Sequence, residues 1–165
     1  MRELLRGLHL EMHQRLREVP RHAAGIPPDR FAAQLEGFAR PTVGSQINHV
    51  LYCEEAWVRA LRHLPKREWP HDQTSVEELF ALTARAGKGT VEYLDLVSEV
   101  ALGELLPAYP DYWVGPPRTP AFILMHVVTH AFHHKGQMVA MLRALGYPMA
   151  DTDLQRGVTP PTVQR

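Results

Sequence analysis

Apolar side chains recur along this chain at helical spacing, and nowhere do they alternate at period two over a useful length. From Arg2 to Val19, the residues Leu4, Leu5, Leu8, Met12, Leu16 and Val19 fall within about a 120° arc at ~100° per residue. That arc predicts an amphipathic helix stopped by Pro20. Pro27, Pro28 and Pro41 bracket Asp29 to Arg40, which reads as a short helix or an ordered connection. A second long helix is predicted from Thr42, its N-cap, to Leu64, with Pro65 as its stop. Its apolar stripe is Val43, Ile47, Val50, Leu51, Trp57, Val58 and Leu61. A third opens on Ser75-Val-Glu-Glu78, a capping-box pattern, and runs to about Val100, weakened mid-way by Gly87 and Gly89. Leu105 to Pro120 reads as a loop rich in proline and aromatic residues. Thr119-Pro120 then starts a fourth helix, which runs to Leu145 and is stopped by Gly146 and Pro148. Four long helices in one chain predict an all-α four-helix bundle over residues 1–148, followed by an extended tail over 149–165.

Composition narrows the class. The 165 residues fit one domain, which at this length needs no disulfide or metal to fold. Eighteen basic residues balance eighteen acidic ones, so the basic excess of a nucleic-acid binder is missing. Apolar runs such as Ala121 to Met125 are far short of the ~20 residues that span a bilayer. Met1 to Val19 alternates charge with leucine and does not read as a signal peptide. Cys53 is the single cysteine, so no intrachain disulfide can form. The expectation is a cytoplasmic protein without nucleic-acid or membrane partners.

Ten histidines remain unexplained, and four fall in the segment His126-Val-Val-Thr-His130-Ala-Phe-His133-His134-Lys-Gly-Gln137. His130 and His134 are one turn apart on one helix face, a spacing that lets both imidazoles reach a single cation. His126 lies one turn earlier on the same stripe. The bland reading is that some of these rings are exposed or hydrogen-bonded in the core. His133 suits it best, pointing about 100° away from His134. In the second helix His49 shares a face with Ser45, Cys53, Ala56 and Ala60, small residues that permit close packing. A bundle could therefore bring His49 opposite His130 and His134. Three neutral imidazoles would leave an open coordination position, and they suit zinc, nickel, iron or copper. Such a site lowers the pKa of bound water to ~7 or holds a thiol as thiolate. Ala131 follows His130, so the H-E-x-x-H base of the zinc proteases is missing.

Other polar residues have two readings each. Glu54 lies within the second helix's apolar stripe, where a carboxylate needs a partner. It either orients a ligand histidine or carries a proton in catalysis, which makes it a catalytic candidate, or it pairs with a first-helix residue such as His9 or an arginine. It is turned about 140° from His49 around the helix, toward a different neighbour. Cys53 is either a fourth ligand or reactive thiol, or a small core residue, the commoner outcome. His9 and His13 have i, i+4 spacing but no evident third ligand. Tyr109, Tyr112 and Trp113 either roof the pocket or anchor their loop, and Gln137 either bonds a ligand or fills a helix seam.

The run Gly44-Ser-Gln-Ile-Asn-His49-Val-Leu-Tyr-Cys-Glu54-Glu-Ala-Trp57, followed by His130-Ala-Phe-His-His134-Lys-Gly-Gln137, resembles the DinB/YfiT-like superfamily. The likeness covers Arg2 to Leu154 in helix order and is most specific in H-x-x-x-H-R-G-Q, where Lys135 stands in place of arginine. It implies a four-helix bundle, usually dimeric, with a divalent metal on His49, His130 and His134; His126 is less firmly placed. The implied metal is zinc or nickel first, then iron or manganese. The implied activity is transfer of a low-molecular-weight thiol to an electrophilic small molecule, or hydrolysis by a metal-activated nucleophile. The alternative is a non-catalytic metal-binding stress-response protein.

Overall fold

A computed structural model of the chain describes residues 1–69, 75–107, 112, 116–150 and 152–154. Its helices are α1 (Arg2–Ala23), α2 (Pro28–Phe31), α3 (Val43–Leu61), α4 (Val76–Leu96), α5 (Glu99–Gly103) and α6 (Pro120–Ala144). Among the described residues there is no strand, only one isolated antiparallel bridge between Leu106 and Arg118. The four long helices form a ring in the order α1, α4, α3, α6.

Pairs of touching residues give the directions. Gln46 meets Gln137 while Trp57 meets His126, so α3 and α6 are antiparallel. Arg6 meets Asp95 while His13 lies against Gly87, so α1 and α4 are antiparallel too. Gly44 packs near Leu79 and Arg62 reaches Glu92, which makes α3 and α4 parallel. Consecutive parallel helices need a connection that returns along the bundle, and this accounts for the long proline-rich segment between α3 and α4. Trp69 in that segment is buried, and its indole N–H donates to Asn48 Oδ1.

Several boundaries differ from the sequence expectation. Pro20 does not stop α1, which continues for three more residues. Proline removes one backbone bond near the end of the helix, and burial of Val19, Pro20 and Ala23 outweighs that loss. α3 ends at Leu61, where His63 takes a left-handed conformation (φ 52°) and Leu64 N–H donates back to Arg59 O at 2.9 Å. The reciprocal capping box lies at Thr42 and Ser45; at Ser75 only the bond from Glu78 N–H forms, at 3.2 Å. The third helix stops at Leu96, and Ser98 caps the separate turn α5. Thr119 and Pro120 start α6 as expected.

The core divides along the bundle axis. One apolar cluster contains Leu16, Ile47, Leu51, Leu79, Met138 and Leu142, and the other contains Leu5, Leu61, Leu94, Leu102 and Ile123. Between them, on α1, α3 and α4, lie the buried polar residues His9, His13, Glu54 and Thr90. Met149 packs against the larger cluster, and Thr152 is buried beside Lys135. Residues 155–165 of the expected tail lie outside the described part of the chain. No helix among the described residues is long and apolar enough to cross a membrane.

Candidate metal centre

Antiparallel packing of α3 on α6 brings His49 against both His130 and His134. The ring centroids are 5.3 Å and 4.9 Å apart respectively, with His130 and His134 4.5 Å from each other. One ligand nitrogen from each of the three lies within 4.8 Å of the others, close enough to share one cation. All three rings are half-buried. Burial and then neighbouring imidazoles push the pKa of His130 and of His134 down to about 4. Burial and then Arg40 lower that of His49. At neutral pH the imidazoles are therefore unprotonated, the form in which they donate to a metal.

Gln46 determines which nitrogen of His134 is available. Fully buried on α3, it directs its amide N–H₂ to Arg40 O at 3.1 Å and Gln137 Oε1 at 2.9 Å. Both its donors are thus used, and its Oε1 must be the acceptor for His134 Nδ1–H at 2.6 Å. This fixes the tautomer with Nε2 bare. A ligand histidine characteristically donates its other N–H in this way. The sequence reading did not single out Gln46, although it lies one turn before His49 on the metal-bearing helix. Gln137 also bonds His134 directly, a contact that favours the protonated ring against the larger effects of burial and charge, and its N–H₂ lies 3.0 Å from His133 Nε2.

The neighbouring candidates fall outside the cluster. His126 lies 5.5 Å from His130 and packs on Trp57 at 5.7 Å, with no nitrogen in the shared set. Cys53 Sγ is 3.7 Å from both ring nitrogens of His49, so it is aligned with neither lone pair. Burial pushes its thiol up to about 11, against a smaller opposing effect of Arg40. His133 is exposed, as its position on the wheel indicated. Tyr112 donates to Leu64 O at 2.9 Å and so anchors its loop on the end of α3; Tyr109 and Trp113 lie outside the described residues. Lys135 is buried away from the imidazoles, donating to Thr152 O and lying 4.3 Å over Phe132.

Glu54 supplies the third member that His9 and His13 lacked in the sequence. Its carboxylate oxygens each lie 2.7 Å from an imidazole Nε2, Oε1 from His9 and Oε2 from His13, and Thr90 donates to Oε1 at 2.6 Å. It orients none of the three clustered histidines, so its candidacy as a catalytic residue beside them is not supported by its position. Gly87 makes room for this arrangement, because a Cβ there would sit 3.0 Å from the His13 ring. The three donors also satisfy the spacing for a cation. The Nδ1 atoms of His9 and His13 are buried without a hydrogen-bond partner.

A cavity of about 130 Å³ lined by Arg40, Ser45, Asn48, His49 and Tyr52 adjoins the three-histidine cluster. A larger one of about 360 Å³, with Ala23, Ile26, Phe31 and Val76 in its walls, has no imidazole or thiol among the described residues. Size and chemistry therefore part company, and the chemistry lies with the smaller cavity.

The fold and site together define a helical bundle with inward-facing imidazoles contributed by two antiparallel helices. The chain belongs to the DinB family, which it matches over residues 8–161. It is also similar to the crystal structure of a conserved protein from Enterococcus faecalis, with a TM-score of 0.65 and 18% identity. That likeness covers 87% of this chain and 95% of the other, and establishes a shared fold. No curated protein matches the chain.

Proposed function

We propose that this chain is a metal-dependent enzyme in which His49, His130 and His134 hold one divalent first-row transition ion, zinc or nickel foremost. The observation that carries this is the convergence of three neutral imidazoles, one already fixed in its metal-binding tautomer by Gln46, beside an open cavity. A dication held there would act as a Lewis acid and favour the deprotonated form of an incoming nucleophile. The chain's residues supply three neutral ligands and leave coordination positions for a small molecule. Cys53, protonated at neutral pH, is not suited to be the nucleophile. The nucleophile therefore comes from a second reactant, which favours transfer of a low-molecular-weight thiol to an electrophile, with hydrolysis as the related chemistry. A homodimer in the cytoplasm completes the proposal.

The alternative, a non-catalytic metal-binding protein of the stress response, requires a closed coordination shell. Cys53 and His126 are the donors expected to close it, and neither joins the shared set of ligand atoms. Elemental analysis of protein purified without a histidine tag, followed by a screen of small thiols against electrophilic acceptors, tests the reading. One metal per chain and thiol-dependent turnover are expected. Undiminished metal in His134→Ala would defeat the ligand assignment.

A further inference from the structure

The cavity beside His49 has a polar lining with a cation at its edge. Arg40 is exposed at its rim, and among the described residues its guanidinium makes no ion pair. Asn48 and Tyr52 contribute polar groups to its wall, and among the described residues no acidic side chain lines the cavity. Nearby acids on α3 are engaged elsewhere. Glu54 belongs to His9, His13 and Thr90, and Glu55 lies 3.6 Å from Arg67.

Resting on the reading of the three histidines as a metal centre, we infer that Arg40 makes this a site for anionic small molecules. The ligand's carboxylate or phosphate would seat on the guanidinium while its reacting end faces the imidazoles. Three neutral ligands leave the charge of a bound dication uncancelled, and Arg40 adds another positive charge at the same cavity. An incoming anion is then the missing counter-charge. The planar guanidinium offers it paired, charge-assisted hydrogen bonds, a geometry that lysine does not reproduce.

Paired thiol probes test this on the cobalt-loaded full chain. The affinities of 3-mercaptopropionate and neutral 2-mercaptoethanol are read from the cobalt spectrum, and their ratio is compared between variants. In the unaltered protein the anionic thiol should bind about tenfold more tightly, the scale of one charge-assisted hydrogen bond. Arg40→Gln should bring the ratio close to one, and Arg40→Lys should retain part of it. Cobalt content of each variant, measured separately, keeps loss of metal distinct from loss of preference. Bound cobalt with a ratio near one in the unaltered protein, or a ratio unmoved by Arg40→Gln, would overturn the role of Arg40 alone. Failure of the unaltered protein to bind cobalt would overturn the metal reading and this inference together.

Discussion

Gln46 accepts the Nδ1–H of His134 at 2.6 Å from a neighbouring helix, and so presents the other imidazole nitrogen to His49 and His130. Removing that acceptor should leave the ligands in place but loosen their orientation. Gln46→Leu is expected to weaken metal affinity by roughly 10- to 100-fold, as for other outer-shell partners. Competition with a chromophoric chelator measures this. Affinity unchanged within twofold would show that Gln46 does not orient the ligand.

The metal-free protein should show two histidines that resist protonation. Burial, reinforced by adjoining imidazoles, brings His130 and His134 to about 4, against an ordinary value of 6.5. A depressed folded-state pKa means that the unfolded chain takes up protons first. Stability from these rings is therefore complete above about 6.5 and is lost as pH falls toward 4. Imidazole proton shifts in NMR titration read the midpoints directly, and midpoints near 6.5 would contradict the packing described here.

Glu54 is expected to be a large contributor to stability. Burial alone would raise its pKa, but the charges and hydrogen bonds of His13 and His9 outweigh burial and hold it well below the usual carboxylate range. Its contribution is present above that range and declines as pH falls through it. Glu54→Ala strands two buried imidazoles and a hydroxyl, and should destabilise the fold by about 3–5 kcal/mol. Denaturant unfolding at pH 7 gives the value; a cost under about 1 kcal/mol would mean that the triad contributes little.

Gly87→Ala should run against the usual helix rule. In an open helix this change stabilises by about 0.4–1 kcal/mol. Here the new methyl would meet the His13 ring at 3.0–3.2 Å, and His13 is pinned by Glu54. A loss of about 1–3 kcal/mol is expected from overpacking. A gain in thermal midpoint would show that the ring can yield.

The homodimer that the family resemblance implies is open to a direct measurement. Sedimentation at micromolar concentration is expected to give a species of twice the 18.7 kDa chain mass. A clean monomer would remove the homodimer from the proposal.

Helix identity and the i, i+4 histidine pair were legible in the sequence because both depend on neighbours within one helix turn. The stripe of Val43, Ile47, Val50 and Leu51, the Thr119-Pro120 start and the His130–His134 spacing are all local features. So was the displacement of Glu54 from His49 around α3, which correctly turned it toward another partner. Less of what lay beyond one helix was legible. A carboxylate inside the apolar stripe pointed to a first-helix partner such as His9, and that pair is present. That His13 and Thr90 join the same carboxylate depends on α1, α3 and α4 meeting at one level, and a helical wheel carries no information about the level of a neighbouring helix. The role of Gln46 was hidden for the same reason, since an amide inside an apolar stripe discloses its purpose only when α6 brings His134 and Gln137 to it. Gly87 looked like a weak point in a helix and is a recess for an imidazole. Its value comes from an atom that belongs to a residue seventy-four positions away, and only packing brings the two together.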